Sequence, residues 1–266
     1  MTHWTASRIS EAAAAWLWVP DDAESIETED YQLIRYPDYY AMTSQVAWSR
    51  TSRPVLDLAA EVAGHVRGWG GSEVNWWVSA ATVPSDTSET LRSLGGEAVE
   101  SVDVLARDLA AGLPELGEHA DVRVEVVHDE ATLRASYLVA AEAWDQAYPD
   151  DQRFSESLTQ VERDLKSRAG FQVVAFLDGQ PVACGGCTMA GEVARLWGAA
   201  TLESARHQGA YRGVLAERLV VAQRWGATLG LVKGRVETSA PILARAGFLR
   251  YGEEQCYRIP VAEKVA

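Results

Sequence analysis

The sequence predicts an α/β (α+β) protein built in two halves, and three observations carry that prediction. Apolar runs of strand character alternate along the chain with stretches of helical periodicity. The order strand, helix, strand, short helix ending in glycine, strand occurs twice, with Gly95 and Gly247 at matching places. Between the copies lies Gly112 to Asp121, polar and carrying Pro114 and Gly117, which is the composition of a linker. The expected halves are therefore residues 1–118 and 119–266.

Ahead of the first copy, Ala12–Ala15 with Trp16, Leu17 and Trp18 reads as an amphipathic helix. Glu11 precedes it and no basic segment does, so it is not a secretion signal. Tyr31 to Tyr36 alternates as a strand should, and the first copy opens with a strand over Ala41–Trp48. Pro54 starts a helix whose Val55, Leu58, Val62 and Val66 share one side, and Gly70-Gly71 stops it. Val74–Val78 is a compact β run, Asp86–Leu94 a short helix ended by Gly95-Gly96, and Val99–Leu105 a strand. Trp76 and Trp77 sit next to each other in a strand, so one faces the core; a pocket role for the other is the alternative to packing.

Beyond the linker, Val122–Val127 alternates into a strand and Asp129 caps a helix carrying Leu133, Tyr137, Val139, Ala140 and Trp144. Pro149-Asp150-Asp151 breaks it, and a charged surface helix follows over Glu156–Arg168. Phe171–Leu177 and Val182–Met189 form a hairpin about Asp178-Gly179. The second copy then runs through Val193–Thr201, a helix over Tyr211–Trp225, a strand at Leu229–Val232, a short helix over Ser239–Ala246 and a strand over Phe248–Ile259.

Composition narrows the function. A net charge of −14 disfavours nucleic acid as a partner and suits a cationic small molecule. No apolar run is long enough for a bilayer, so no membrane role is expected. Three cysteines form no disulfide framework, which points to a reducing, cytoplasmic setting. Cys184-Gly185-Gly186-Cys187 has metal or redox spacing, yet no second pair or histidine cluster completes a zinc site, so no metal is expected.

The turn Arg206-His207-Gln208-Gly209-Ala210-Tyr211-Arg212 links a strand to a helix. Such a turn aims unpaired backbone N–H groups and the positive end of the helix dipole at one point, which suits phosphate. Arg195, Arg206, Arg212, Arg218, Arg224, Lys233 and Arg235 make this region basic within an acidic chain, with only Glu203 and Glu217 against them. Arg206-x-x-Gly209-x-Tyr211 resembles the Arg/Gln-x-x-Gly-x-Gly/Ala signature of the GNAT superfamily of acetyl-CoA-dependent N-acetyltransferases, and the element order from about Asp121 to Val261 is similar too. The departure is Tyr211, where the family has Gly or Ala; its side chain would point into or beside the turn.

The resemblance implies two GNAT-like halves, each a mixed, mostly antiparallel twisted sheet flanked by helices. It implies acetyl-CoA as acyl donor and a small primary amine as acceptor, in a monomer or homodimer. Backbone groups at Ala199, Ala200 and Thr201 would bond the pantetheine arm, and amides of His207, Gln208, Gly209, Ala210, Tyr211 and Arg212, with Arg206, would hold the pyrophosphate. The first half has Arg50-Thr51-Ser52-Arg53-Pro54 in place of the glycine turn, so it should hold no pyrophosphate and is read as degenerate.

The base and acid stay open. Where the family carries a glutamate before the turn, this chain has Arg195, Leu196 and Trp197; Glu142 and Asp145 are the alternatives, and a solvated helix face is their plainer role. Leu243 stands where a tyrosine acid is usual, leaving Tyr211, Tyr251 or Tyr257 as substitutes. A non-catalytic acyl-CoA-binding or regulatory module is the alternative to an enzyme.

Overall fold

The computed structural model describes residues 4–40, 42–117 and 121–261. The expected strand start at Ala41 and the expected boundary at residue 118 lie outside the described residues. The chain is a mixed, mostly antiparallel α/β structure with two compact units, each assembled from separate stretches. One comprises Leu105–Lys233 with Met1–Ile9 and Ile242–Leu249; the other comprises Ser10–Val104, Gly234–Pro241 and Arg250–Ala266.

The second of these carries strands β1 (Glu24–Glu27), β2 (Tyr31–Arg35), β3 (Ser44–Ser49) and β4 (Glu73–Ser79). Helix α1 (Ala6–Ala14) precedes them; α2 (Val55–Gly68) and α3 (Thr87–Ser93) follow β3 and β4, and β5 (Glu97–Asp108) comes after α3. β1–β2 and β2–β3 pair antiparallel, while β3–β4 pair parallel at Gln45–Asn75 and Val46–Trp76. The C-terminal strand, numbered β11 below (Leu249–Pro260), pairs antiparallel with β4. The apolar stripe on α2 behaves as its spacing dictates: Val55, Leu58, Val62 and Val66 are all buried against Tyr31, Leu33, Val46 and Trp76. Each such side chain contributes roughly 1.5–3 kcal/mol on burial.

The other unit carries β6 (Val122–Val126), α4 (Glu130–Trp144), α5 (Asp151–Ser167), β7 (Gly170–Leu177), β8 (Gln180–Ala190) and β9 (Val193–Thr201). Helix α6 (Ala210–Arg224), strand β10 (Leu229–Arg235) and helix α7 (Ser239–Arg245) follow. β6 through β9 pair antiparallel in order, and β9–β10 pair parallel. Asp129 closes a capping box on α4, accepting from the Thr132 amide at 2.9 Å. Asp178 and Gly179, at φ 50° and 77°, make the expected tight hairpin.

The repeat is visible in three dimensions as an antiparallel pair followed by one parallel pair, with the crossover helix between. Its glycines do the same work in both copies. Gly95 and Gly247 are left-handed, at φ 83° and 79°, and the following amides (Gly96 and Phe248) return to the carbonyls of Leu91 and Leu243.

Two expectations are corrected. The N-terminal helix ends at Ala14, so Trp16, Leu17 and Trp18 lie beyond it. Helix α5 begins at Asp151 rather than Glu156, because Asp150 accepts from the Arg153 amide at 2.9 Å and caps the helix instead of breaking it. Strand β1 is an addition the sequence pattern does not reveal.

Candidate functional site

The site is built where β9 leaves its neighbours. The β9–β10 register runs from Val193–Leu229 to Leu196–Val232 and ends there, although β9 continues to Thr201. On its other side β9 carries a β-bulge: Cys184 faces Ala200 and Gly186 faces Trp197, so Gly198 and Ala199 have no partner in that register. Gly198 is left-handed at φ 58°. A bulge releases backbone groups from the ladder. Ala200 is buried, Ala199 is half-buried, and the Thr201 hydroxyl is buried with no hydrogen-bond partner among the described residues.

After β9 a single 3-10 turn, Glu203–Ala205, leads to the loop. His207 and Gly209 are both left-handed, at φ 65° and 90°. Left-handed residues of this kind turn successive N–H groups to the concave side of a backbone nest, which favours anions. An L side chain at a position like Gly209 costs about 1–2 kcal/mol, which explains the glycine. Gln208 ties the loop back by donating to the Ser204 carbonyl at 2.8 Å. Gly209 is the N-cap of α6 and offers no side-chain acceptor, and the first turn holds no acidic residue. Among the described residues, no backbone N–H from His207 to Arg212 is donated to a protein acceptor; the Gly213 amide resumes the helix pattern, bonding to Gly209 at 2.9 Å. Such amides, at the positive end of a 15-residue helix, suit an anion. Arg206 and Arg212 are exposed beside them, and Arg206 has a long contact of 3.8 Å to Glu203.

The equivalent place in the first copy is closed. The Val83 amide donates to the Ser49 carbonyl at 3.2 Å, and the Val83 carbonyl accepts from Thr51 at 3.0 Å, bridging β3 beyond its last pair with β4. The Arg53 amide is taken by the Thr51 hydroxyl, and Pro54 has no N–H.

The basic stretch is not one patch. Arg235 pairs with Glu100 at 2.8 Å, and Arg218 is buried at 2% exposure. The Tyr211 side chain is half-buried, with its hydroxyl close to the Arg218 guanidinium. Burial raises the Tyr211 pKa and the nearby guanidinium opposes the rise. Burial also lowers the Arg218 pKa, partly offset by Tyr211. Arg218 is the residue that charge counting misses, since nothing in its local sequence separates it from the surface arginines around it.

Glu142 and Asp145 are exposed at the end of α4, and the ring of the adjacent Trp144 comes within 3.8 Å of where a Cβ on Gly198 would stand. The end of α4 therefore borders the bulge. Tyr257 is elsewhere: it is fully buried in the core with α2, and its hydroxyl is held by Arg92 and Gln255. Arg195, opposite Thr188 and Leu231, is half-buried, and burial lowers its pKa; Leu243 is buried at 1% exposure.

No family model and no curated protein sequence matches the chain. Solved structures do. A GCN5-related N-acetyltransferase from Kribbella flavida is 18% identical, covers 89% of each chain and has a TM-score of 0.64. A GCN5-related N-acetyltransferase from Sphaerobacter thermophilus is 15% identical over 90% of this chain and 84% of that one, with a TM-score of 0.66. A tandem GNAT protein from the clavulanic acid biosynthesis pathway is 14% identical over 97% of this chain and 89% of that one, with a TM-score of 0.61. The architecture of this chain is the GCN5-related N-acetyltransferase fold in tandem arrangement.

Proposed function

We propose that the chain is an N-acetyltransferase that moves an acetyl group from acetyl-CoA to the primary amine of a small molecule. The observation that carries this reading is the run of undonated amides from His207 to Arg212 at the start of α6. In this reading residues 119–266 form the acyl-CoA-binding half and residues 1–118 the degenerate one. The amides would hold the pyrophosphate, with charge from Arg206 and Arg212. The Thr201 hydroxyl and the backbone of Ala199, Ala200 and Thr201 fit the amide-rich pantetheine arm, because a buried hydroxyl lacking a partner gains one there.

The amine, with a pKa near ~10 for a lysine-like group, first loses a proton. Its lone pair then attacks the thioester carbonyl carbon, the C–N bond forms, the C–S bond breaks, and CoA leaves as thiolate while the new amide nitrogen sheds its second proton. Glu142 and Asp145, at the end of α4 bordering the bulge, are the candidates to take a proton. With Leu243 at the place of the usual tyrosine, the thiolate leaves without a dedicated acid.

The test is acetyl-CoA incubated with a panel of small amines, reading free thiol and product mass together. Amine-dependent thiol release with an acetylated product supports the reading. Binding of acetyl-CoA without thiol release from any amine would favour the second reading, a non-catalytic acyl-CoA-binding module. Arg195 and Leu243, both in place of reacting groups, are the observations behind that alternative.

A further inference from the structure

Among the described residues Arg218 is the only charged side chain that is buried. It donates to three backbone carbonyls, with the Tyr211 phenol close by. Nε donates to Val214 at 3.3 Å, one turn back on α6. Nη1 donates to Gly186 at 3.3 Å and to Trp197 at 3.4 Å, the two residues that face each other across the β8–β9 bulge. Gly185 makes the room: a Cβ there would stand 3.1 Å from the Arg218 Cζ and 3.0 Å from Val214.

Burying a guanidinium without a carboxylate partner is costly, and an apolar side chain of similar reach would fill the space without that cost. Packing alone therefore does not account for the charge. What the charge does is geometric. In a trans peptide the C=O and the following N–H point opposite ways, so fixing the Trp197 carbonyl on Arg218 fixes the Gly198 N–H in the other direction. Gly198 is the left-handed bulge residue with no partner in the ladder.

We infer that Arg218 is a positioning residue for acyl transfer, holding the β8–β9 bulge so that the Gly198 amide receives the thioester oxygen. The inference rests on the reading of the turn at Arg206–Arg212 as an acyl-CoA site. As the amine attacks, the carbonyl electron pair moves onto that oxygen. A fixed N–H, backed by a charge that no carboxylate neutralises, stabilises it.

The experiment compares wild type with Arg218→Met, which keeps the packing and removes the charge, and Gly185→Ala, which keeps the charge and displaces the guanidinium. Each is titrated with CoA, then with acetyl-CoA labelled at the carbonyl carbon and followed by carbon NMR, after thermal melts confirm folding. The expected result is CoA affinity within about threefold of wild type for both variants, since neither substitution changes a residue whose backbone amide faces the pyrophosphate. The bound carbonyl resonance, displaced downfield in wild type, returns toward its free position in both. An unchanged resonance in folded, CoA-binding variants would overturn the inference. Arg218→Lys stands in if Arg218→Met does not fold, because a lysine has no second donor nitrogen to anchor on the Val214 carbonyl while reaching Gly186 and Trp197. Failure of wild type to bind CoA would instead overturn the underlying site reading, and this inference with it.

Discussion

The Val83 amide is bonded to the Ser49 carbonyl, and the second copy has no such bond at the equivalent place among the described residues. In the first copy the backbone beyond β4 bridges β3 where the parallel strands part. In the second copy β9 continues to Thr201 past its last pair with β10, and the loop amides stay undonated. The same fold thus leaves one turn with its amides open and closes the other with backbone hydrogen bonds.

A saturating calorimetric titration should accordingly give one acetyl-CoA per chain. Two equivalents would mean that the Val83 segment gives way to a ligand.

The native protein should be silent to thiol reagents. Burial pushes the Cys184 thiol up to about 11 and those of Cys187 and Cys256 up to about 12. All three are free and inside the fold, and the thiolate is the reacting form. DTNB at pH near ~8 should register no protein thiol before denaturation and three after it. Fast reaction of the native protein would contradict the packing of β8, which carries Cys184 and Cys187, or of β11, which carries Cys256.

Much of the fold is legible in local pattern. The α2 stripe, the Asp178-Gly179 hairpin and the helix-ending glycines each follow from spacing or from a backbone angle that few residues tolerate. The loop glycine Gly209 is visible for the same reason. What local pattern cannot carry is partnership across the chain. Nothing near Tyr257 says that β11 pairs with β4, and nothing near Val83 says that it bonds to Ser49. Asp150 is ambiguous in sequence because an aspartate after proline serves a turn or a cap, and only the Arg153 amide decides. Arg218 is misplaced by any charge count, since its burial depends on the space beside Gly185 on another element.

Acid should weaken the unit that holds α2 through Glu61. Hydrogen bonds from Arg53 and then Tyr31, at 2.7 and 2.9 Å, hold its carboxyl below the ordinary 4.5. A carboxyl depressed on folding binds protons more readily when unfolded, so its stabilisation is complete above about pH 4.5 and fades as the pH falls through the folded value. The Glu61 side chain is 35% exposed, and solvent screening keeps the effect of Glu61→Gln to about 1 kcal/mol at neutral pH. Thermal melts should show that gap closing in acid. A gap that is constant with pH would contradict the assignment.

The central claim is that the loop from Arg206 to Arg212 holds the diphosphate of an acyl-CoA. Its most direct measurement is isothermal titration of acetyl-CoA into wild type and into a folded Arg206→Ala, Gly209→Glu double variant. Saturable binding by wild type and its loss in the variant is the result the account predicts. No binding by wild type, or equal binding by both, would contradict it.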